Sequence, residues 1–284
     1  MKTESEGSKM SNRLNVQLVV IDPQNDFMDI PNAALPVPGA NEDMKRVAKL
    51  VERAGKKFND IHVTLDSHRL IDIAHPAWWR DGRGKSPAPF TMITSADIER
   101  GTWTTRDPNL RARSLAYTKA LEATGKYTLC IWPVHCLIGT WGHNVQSDLN
   151  GALQKWSESE FQMVDYVTKG SNPFTEHYGA LMAEVPDPND PGTGLNTDFL
   201  TMMQTADVVG LTGEALSHCV RATITQIADN IGAEHIKKFH ILTDCTSSVP
   251  AIPGVVDFPA LAQQWLKDMQ KRGMHLTTSR EFLA

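Results

Sequence analysis

Cysteine is scarce in this chain. Four occur among 284 residues, at positions 130, 136, 219 and 245, and no two stand in a C-x-x-C pair. That excludes a disulfide-stapled small scaffold and leaves free thiols, as expected of a cytoplasmic protein. An excess of one charge sign is also missing. The 28 Lys and Arg stand against 33 Asp and Glu, for a net charge of −5. The chain therefore has no electrostatic footprint for nucleic acid or for an anionic membrane surface. No apolar run approaches the roughly 20 residues of a membrane span. The opening "MKTESEGSKMSNRLN" has no apolar stretch of the kind a secretory signal carries. Residues 1–14 read instead as a disordered polar tail, with Met10 available as a second start. No internal repeat or low-complexity segment interrupts the rest.

What remains is ordinary globular composition, 41% hydrophobic and 21% charged, long enough for a sizeable core. The pattern predicts one domain over 15–284 in which strands and helices alternate. "VQLVVID" (16–22), "IHVTLD" (61–66), "YTLCIW" (127–132), "FQMVDYV" (161–167), "DVVGL" (207–211) and "FHILTD" (239–244) read as six buried strands. Helical spacing marks 41–54, about 109–124, 145–157, 217–231 and about 257–271. This alternation predicts a doubly wound, six-stranded, mainly parallel sheet with helices on both faces. The polar, Trp- and Pro-containing segment 69–130 stands out as an insertion.

Ligands of such sheets sit beyond the carboxyl ends of the strands, and there the chain concentrates chemistry. The first strand ends in Asp22 and the second in Asp66, with His68 two residues on. "PVHC" after the third holds His135, Lys169 follows the fourth, and a Gly-bounded loop after the fifth leads to Cys219 at the front of a helix. A thiol at a helix start meets the positive end of the helix dipole and free backbone N–H groups, which favour the thiolate and can hold an oxyanion. Lys169 adds a positive charge, and Asp22 adds a carboxylate able to move a proton. Taken alone, each has a plainer reading: a small buried hydrophobe for Cys219, a loop cap for Asp22, a solvated surface lysine for Lys169. Cys130 and Cys245 read as core, while Cys136 adjoins His135 without an acid of its own. In D-x-H, Asp66 and His68 point to one side of an extended segment. A third ligand from a neighbouring strand end makes a carboxylate–imidazole set suited to Zn²⁺, Fe²⁺ or Mn²⁺. His75, in "IAHPAWW", competes with His135 for that place, and His62 reads as a core residue.

Four stretches in this order resemble the isochorismatase-like cysteine hydrolases, and within them the nicotinamidases: "VVIDPQNDFMD" (19–29), "TLDSH" (64–68) with "WPVHC" (132–136), "VTKG" (167–170) and "GEALSHCVRAT" (213–223). The resemblance covers about residues 15–250. It implies a C–N hydrolase that converts nicotinamide, or another small amide, to the acid and ammonia through a thioester. Asp22, Lys169 and Cys219 are the implied catalytic residues, and Asp66, His68 and His135 the implied ligands of one divalent metal, most commonly zinc. It also implies a cis peptide between Ala215 and Leu216, an oxyanion hole from the N–H groups of Leu216 and Cys219, and Phe27 and Ala215 against the substrate. Leu216 and His218 fall at positions of the pocket rim. A small-molecule amide is the expected partner, with a homo-oligomer as the expected assembly and the tryptophans of 69–130 as lid or contact residues. Relatives acting on carbamoyl or ureido compounds, or on isochorismate, generally lack the D-x-H plus WPxHC pair.

Overall fold

The computed structural model describes residues 13–254 and 256–284; most of the expected tail, residues 1–12, lies outside them. Six strands form one sheet: β1 (Val16–Ile21), β2 (Asp60–Asp66), β3 (Asp165–Lys169), β4 (Val208–Gly213), β5 (Phe239–Leu242) and β6 (His275–Thr277). Their order across the sheet is β6-β5-β4-β1-β2-β3, and every neighbouring pair is parallel. The chain thus winds outward from β1 in one direction, then returns to β1's other side and winds the opposite way. The point of reversal lies between β1 and β4, where crevices for ligands open in sheets of this kind.

Both faces of the sheet are covered. The apolar stripe of α1 (Ala40–Ala54), with Met44, Val47 and Val51, packs with Leu149, Leu153 and Trp156 of α4 (Ser147–Glu160) on one side. On the other side Phe199 of α5 (Thr197–Thr205), Ile224 and Ile227 of α6 (Arg221–Asn230), and Leu266 of α7 (Phe258–Arg272) cover Val19, Leu211 and Ile241. Burial on both faces is why β1 reads as an unbroken apolar run rather than an alternation.

Two strand expectations need correction. "YTLCIW" is no member of the sheet; only Leu129–Cys130 is extended, paired antiparallel with Met92–Ile93. The sixth strand is instead His275–Thr277, whose mixed polarity suits an edge position and hides it from a hydrophobicity reading. Segment 69–130 carries α2 (Ser95–Arg100) and α3 (Arg111–Ala123) around a small core of its own. Trp78 and Trp79 are buried in that core and Trp103 packs on it, so these tryptophans hold the segment together.

Gly213 closes β4 at φ +124, and a Cβ there would lie 2.0 Å from the carbonyl oxygen of Ile21. Only glycine lets β4 approach β1 this closely before the chain turns. Gly213→Ala is expected to cost at least about 2 kcal/mol, whereas Gly82→Ala, with no atom within 4 Å of its added carbon, is expected to stay near wild type. Urea midpoints of the two variants check this.

Candidate functional site

The parallel register sets Asp66 beside Lys169 and Ile21 beside Gly213, so the ends of β1 to β4 meet at the crevice. Lys169 is 2% exposed and Asp22 fully buried. The lysine's Nζ lies 2.9 Å from Asp22 Oδ2, 3.1 Å from Asp66 Oδ1 and 3.8 Å from Cys219 Sγ, and it donates to the His177 carbonyl at 2.9 Å. Burial works against the ammonium, but the two carboxylates outweigh it and hold Lys169 well above the ordinary lysine value. Asp22 Oδ1 accepts from the Thr64 hydroxyl at 2.6 Å, while Oδ2 receives no hydrogen bond of good geometry. That oxygen is ion-paired with the Lys169 ammonium, and the Cys219 thiol lies against the same carboxylate.

The helix-start expectation for Cys219 needs refinement. The sulfur sits on a wide turn, Leu216–Val220, leading into α6, and is buried. Burial pushes its thiol well up, opposed by Lys169 and reinforced by the carboxylates of Asp22 and Asp66. The resting group is therefore a neutral thiol, and its proton has an acceptor beside it in Asp22. Burial likewise raises Asp22, against the pull of Lys169, and so strengthens it as a base.

The amides of this loop also correct an expectation. The cis bond joins Glu214 to Ala215, one residue earlier than expected. The Leu216 N–H donates to the Ser247 carbonyl at 2.8 Å, so it is spent and cannot serve an oxyanion. The N–H of Ala215, by contrast, has no acceptor among the described residues, and that of Cys219 has none outside its own turn. Leu216 is also absent from the cavity wall, whereas Ala215, His218 and Cys219 line it.

Three imidazoles converge beside the thiol. His68, His75 and His135 each offer a ligand atom within 4.8 Å of the others. In each, Nδ1 faces an oxygen: Asp72 Oδ2 at 3.1 Å for His68, the Arg69 carbonyl at 3.1 Å for His75, and the Pro133 carbonyl at 2.8 Å for His135. With Nδ1 donating, the Nε2 of His75 and of His135 is left as a lone pair aimed inward, the arrangement of a metal-binding histidine. For His68, burial works against the charged ring, but the carboxylates of Asp66 and Asp72 on its two nitrogens hold its pKa well above the ordinary value. His75 Nε2 is buried with no partner, and burial lowers its pKa to about 4, keeping the ring neutral. Asp66 Oδ2 lies 3.0 Å from His68 Nε2 and 3.4 Å from His135 Nε2. His75 thus stands with His68 and His135 in one three-imidazole group, and Asp66 lies against two of its rings. A divalent ion fits this donor set.

A cavity of about 220 Å³ opens over Cys219, Asp66, His68 and His135. Its walls are aromatic: Phe27, Phe90 from segment 69–130, Trp132, Tyr178 and His218. Phe27 meets the His135 ring edge-on at 5.6 Å. Glu176 also lines it, a residue no motif marked. Trp132 Nε1 donates to its Oε2 at 3.1 Å, Oε1 has no partner, and burial pushes its pKa up to about 8. No sequence signal could have found Glu176, because only the fold of 170–184 brings it against Trp132. Cys136, by contrast, is buried beneath the site and absent from its wall.

No protein-family model matches the chain, and no curated protein matches it. Solved structures do. Yeast nicotinamidase Pnc1p bound to the inhibitor nicotinaldehyde superposes with a TM-score of 0.60 at 20% identity, covering 93% of this chain and 99% of that one. The Acinetobacter baumanii nicotinamidase/pyrazinamidase gives 0.58 at 20% identity, over 96% and 100% of the two chains. The Pyrococcus horikoshii pyrazinamidase in complex with zinc gives 0.54 at 20%, over 93% and 99%. The chain has their fold, the isochorismatase-like α/β fold.

The electrostatics make a direct prediction. Because its pKa is raised, Cys219 is expected to be protonated at pH 7 and to react with iodoacetamide more slowly than an unhindered thiol. Lys169→Met removes the one charge that favours the thiolate and is expected to slow it further. Site-resolved mass spectrometry of alkylation measures both; faster alkylation in the variant would contradict the assignment.

Proposed function

We propose that this protein is a metal-dependent cysteine amidohydrolase that converts nicotinamide and water to nicotinate and ammonia. The observation that carries the reading is the meeting of Asp22, Lys169 and Cys219 with the Asp66, His68, His75 and His135 cluster at one aromatic-walled cavity.

The chemistry follows from the charges. The Cys219 thiol gives its proton to Asp22, and the sulfur attacks the carboxamide carbon. The oxygen that becomes negative lies against the amides of Ala215 and Cys219, donors in place before the reaction begins. Asp22 then delivers the proton to the departing nitrogen, and ammonia leaves behind a thioester. Asp22 next takes a proton from water, the hydroxide attacks the thioester, and the acid is released as Cys219 recovers its proton. Lys169 keeps Asp22 ionised early in the cycle and lowers the cost of negative charge on sulfur. A divalent ion at the histidine cluster supplies an electrophile for a ring nitrogen and so orients the substrate; zinc suits these donors, as do Fe²⁺ and Mn²⁺. The aromatic walls favour a flat heteroaromatic amide over an aliphatic amide or a carbamoyl compound. NAD salvage in the cytoplasm is the corresponding setting.

Purified protein is expected to release ammonia from nicotinamide, and Cys219→Ala to lose at least about 10³-fold in kcat. Equal rates in the two proteins would overturn the nucleophile. Chelator-treated protein titrated with Zn²⁺ is expected to bind one equivalent, and His75→Ala to weaken binding by about tenfold or more, read by calorimetry without reference to activity. Acetamide, offered in the same assay, is expected to be a much poorer substrate than nicotinamide, and equal kcat/KM for the two would remove the heteroaromatic assignment.

A further inference from the structure

Glu214 is an unusual residue to find inside a protein. It is 0% exposed, has no basic residue paired with it among the described residues, and immediately precedes Ala215. Its Oε2 accepts the Ser247 N–H at 3.2 Å. The Ser247 carbonyl in turn accepts the Leu216 N–H at 2.8 Å, and the Ser247 hydroxyl donates to Asp43 Oδ2 at 2.5 Å. Asp43, 2% exposed on α1, is held by the guanidinium of Arg46. Gly39 leaves the room this needs, since a Cβ there would stand 2.7 Å from the Ser247 hydroxyl. Glu214 Oε1 finds no donor among the described residues. Burial, with Asp43 alongside and Asp29 further off, pushes the Glu214 pKa well up. A proton on Oε1 turns that orphan acceptor into a donor and gives it a partner in the Asp43 carboxylate.

We propose that Glu214 is a positioning residue, a strut from α1 and Ser247 that holds the 214–216 backbone so that the Ala215 amide faces the cavity while the Leu216 amide is turned away to Ser247. The loop has two candidate amides side by side, and the hydrogen bonds decide which one is spent. Loss of the strut leaves both free to exchange roles. The acid is a costly way to build this loop, because an apolar residue at 214 would need no buried partner. The chain keeps two buried carboxyl side chains there instead, joined through the half-buried Ser247.

This inference rests on the amidohydrolase reading, and the experiment separates the two. Three variants are compared with wild type and Cys219→Ala: Glu214→Gln, whose amide can accept from Ser247 and donate to Asp43; Glu214→Leu, which can do neither; and Glu214→Asp, which keeps an acid but shortens its reach. Each is assayed for nicotinamide kcat and KM. Each is also tested for inhibition by nicotinaldehyde, whose adduct with a thiolate carries an oxyanion, and by nicotinate, which forms none. Gln is expected to stay within about threefold of wild type, and Leu and Asp to lose about 10²-fold in kcat with KM nearly unchanged. Aldehyde affinity should fall in step with kcat while nicotinate affinity holds. The Asp variant keeps the test decisive if Leu does not fold. If Leu or Asp keeps wild-type kcat and aldehyde affinity, or if Gln falls as far as Leu, the positioning role is wrong. Turnover that survives Cys219→Ala would instead overturn the amidohydrolase reading, and this inference with it.

Discussion

A single buried ammonium organises the site. Lys169 comes out of water at the end of an edge strand, which costs several kcal/mol unless charges of the opposite sign meet it. Asp66 does so from β2, the strand beside it, and Asp22 from the end of β1, one strand further in. Neither carboxylate would be tolerated at such depth without the lysine. The three are therefore stable only together, and together only if β1, β2 and β3 lie in the observed order and register. Fold and chemistry are thus coupled through one cation, which also faces the sulfur of Cys219.

The second constraint is closeness. β4 must come against β1 tightly enough for the Cys219 turn to sit over Asp22, and Gly213 is where the backbones nearly touch. Beyond that glycine, the peptide N–H groups are shared out between structure and cavity: Glu214 to Ile21, Leu216 to Ser247, and Ala215 to nothing among the described residues. The histidine cluster follows a similar logic on the other side of the thiol. Each ring spends one nitrogen on a carbonyl or carboxylate, which fixes its orientation and leaves the other nitrogen for a ligand.

Much of this was legible beforehand, and the failures have identifiable causes. β1 and β4 read correctly because burial on both faces writes a largely apolar run, and β2 because its β-branched and apolar residues alternate with polar ones. "YTLCIW" has the same run, yet it packs in the small core of segment 69–130, since a run of apolar residues does not say which core receives it. His275–Thr277 escaped because an edge strand needs little hydrophobicity. Asp22, Asp66, His68, Lys169 and Cys219 were all found at one cavity, or bordering it, because strand ends of a parallel sheet share an edge; His135 reaches the same cavity from the loop after Leu129–Cys130, outside that sheet. The thiolate expected at the helix start did not account for burial, which a linear pattern does not contain. Leu216 was placed one residue too far along as an amide donor, because residue spacing cannot tell which N–H an adjacent carbonyl will take.

The sequence by itself determined the class of fold, the side chains carried to one edge of the sheet, and the two chemical groups among them. These depend on local periodicity and on residue type, both of which are present in the linear chain. Only the tertiary structure decided the protonation of the thiol, the place of His75 among the metal-type donors, the presence of Glu176 in the wall, and the buried strut under Ala215. Each of those depends on solvent exclusion or on an approach between residues far apart in sequence. Such quantities exist only once the chain has closed on itself.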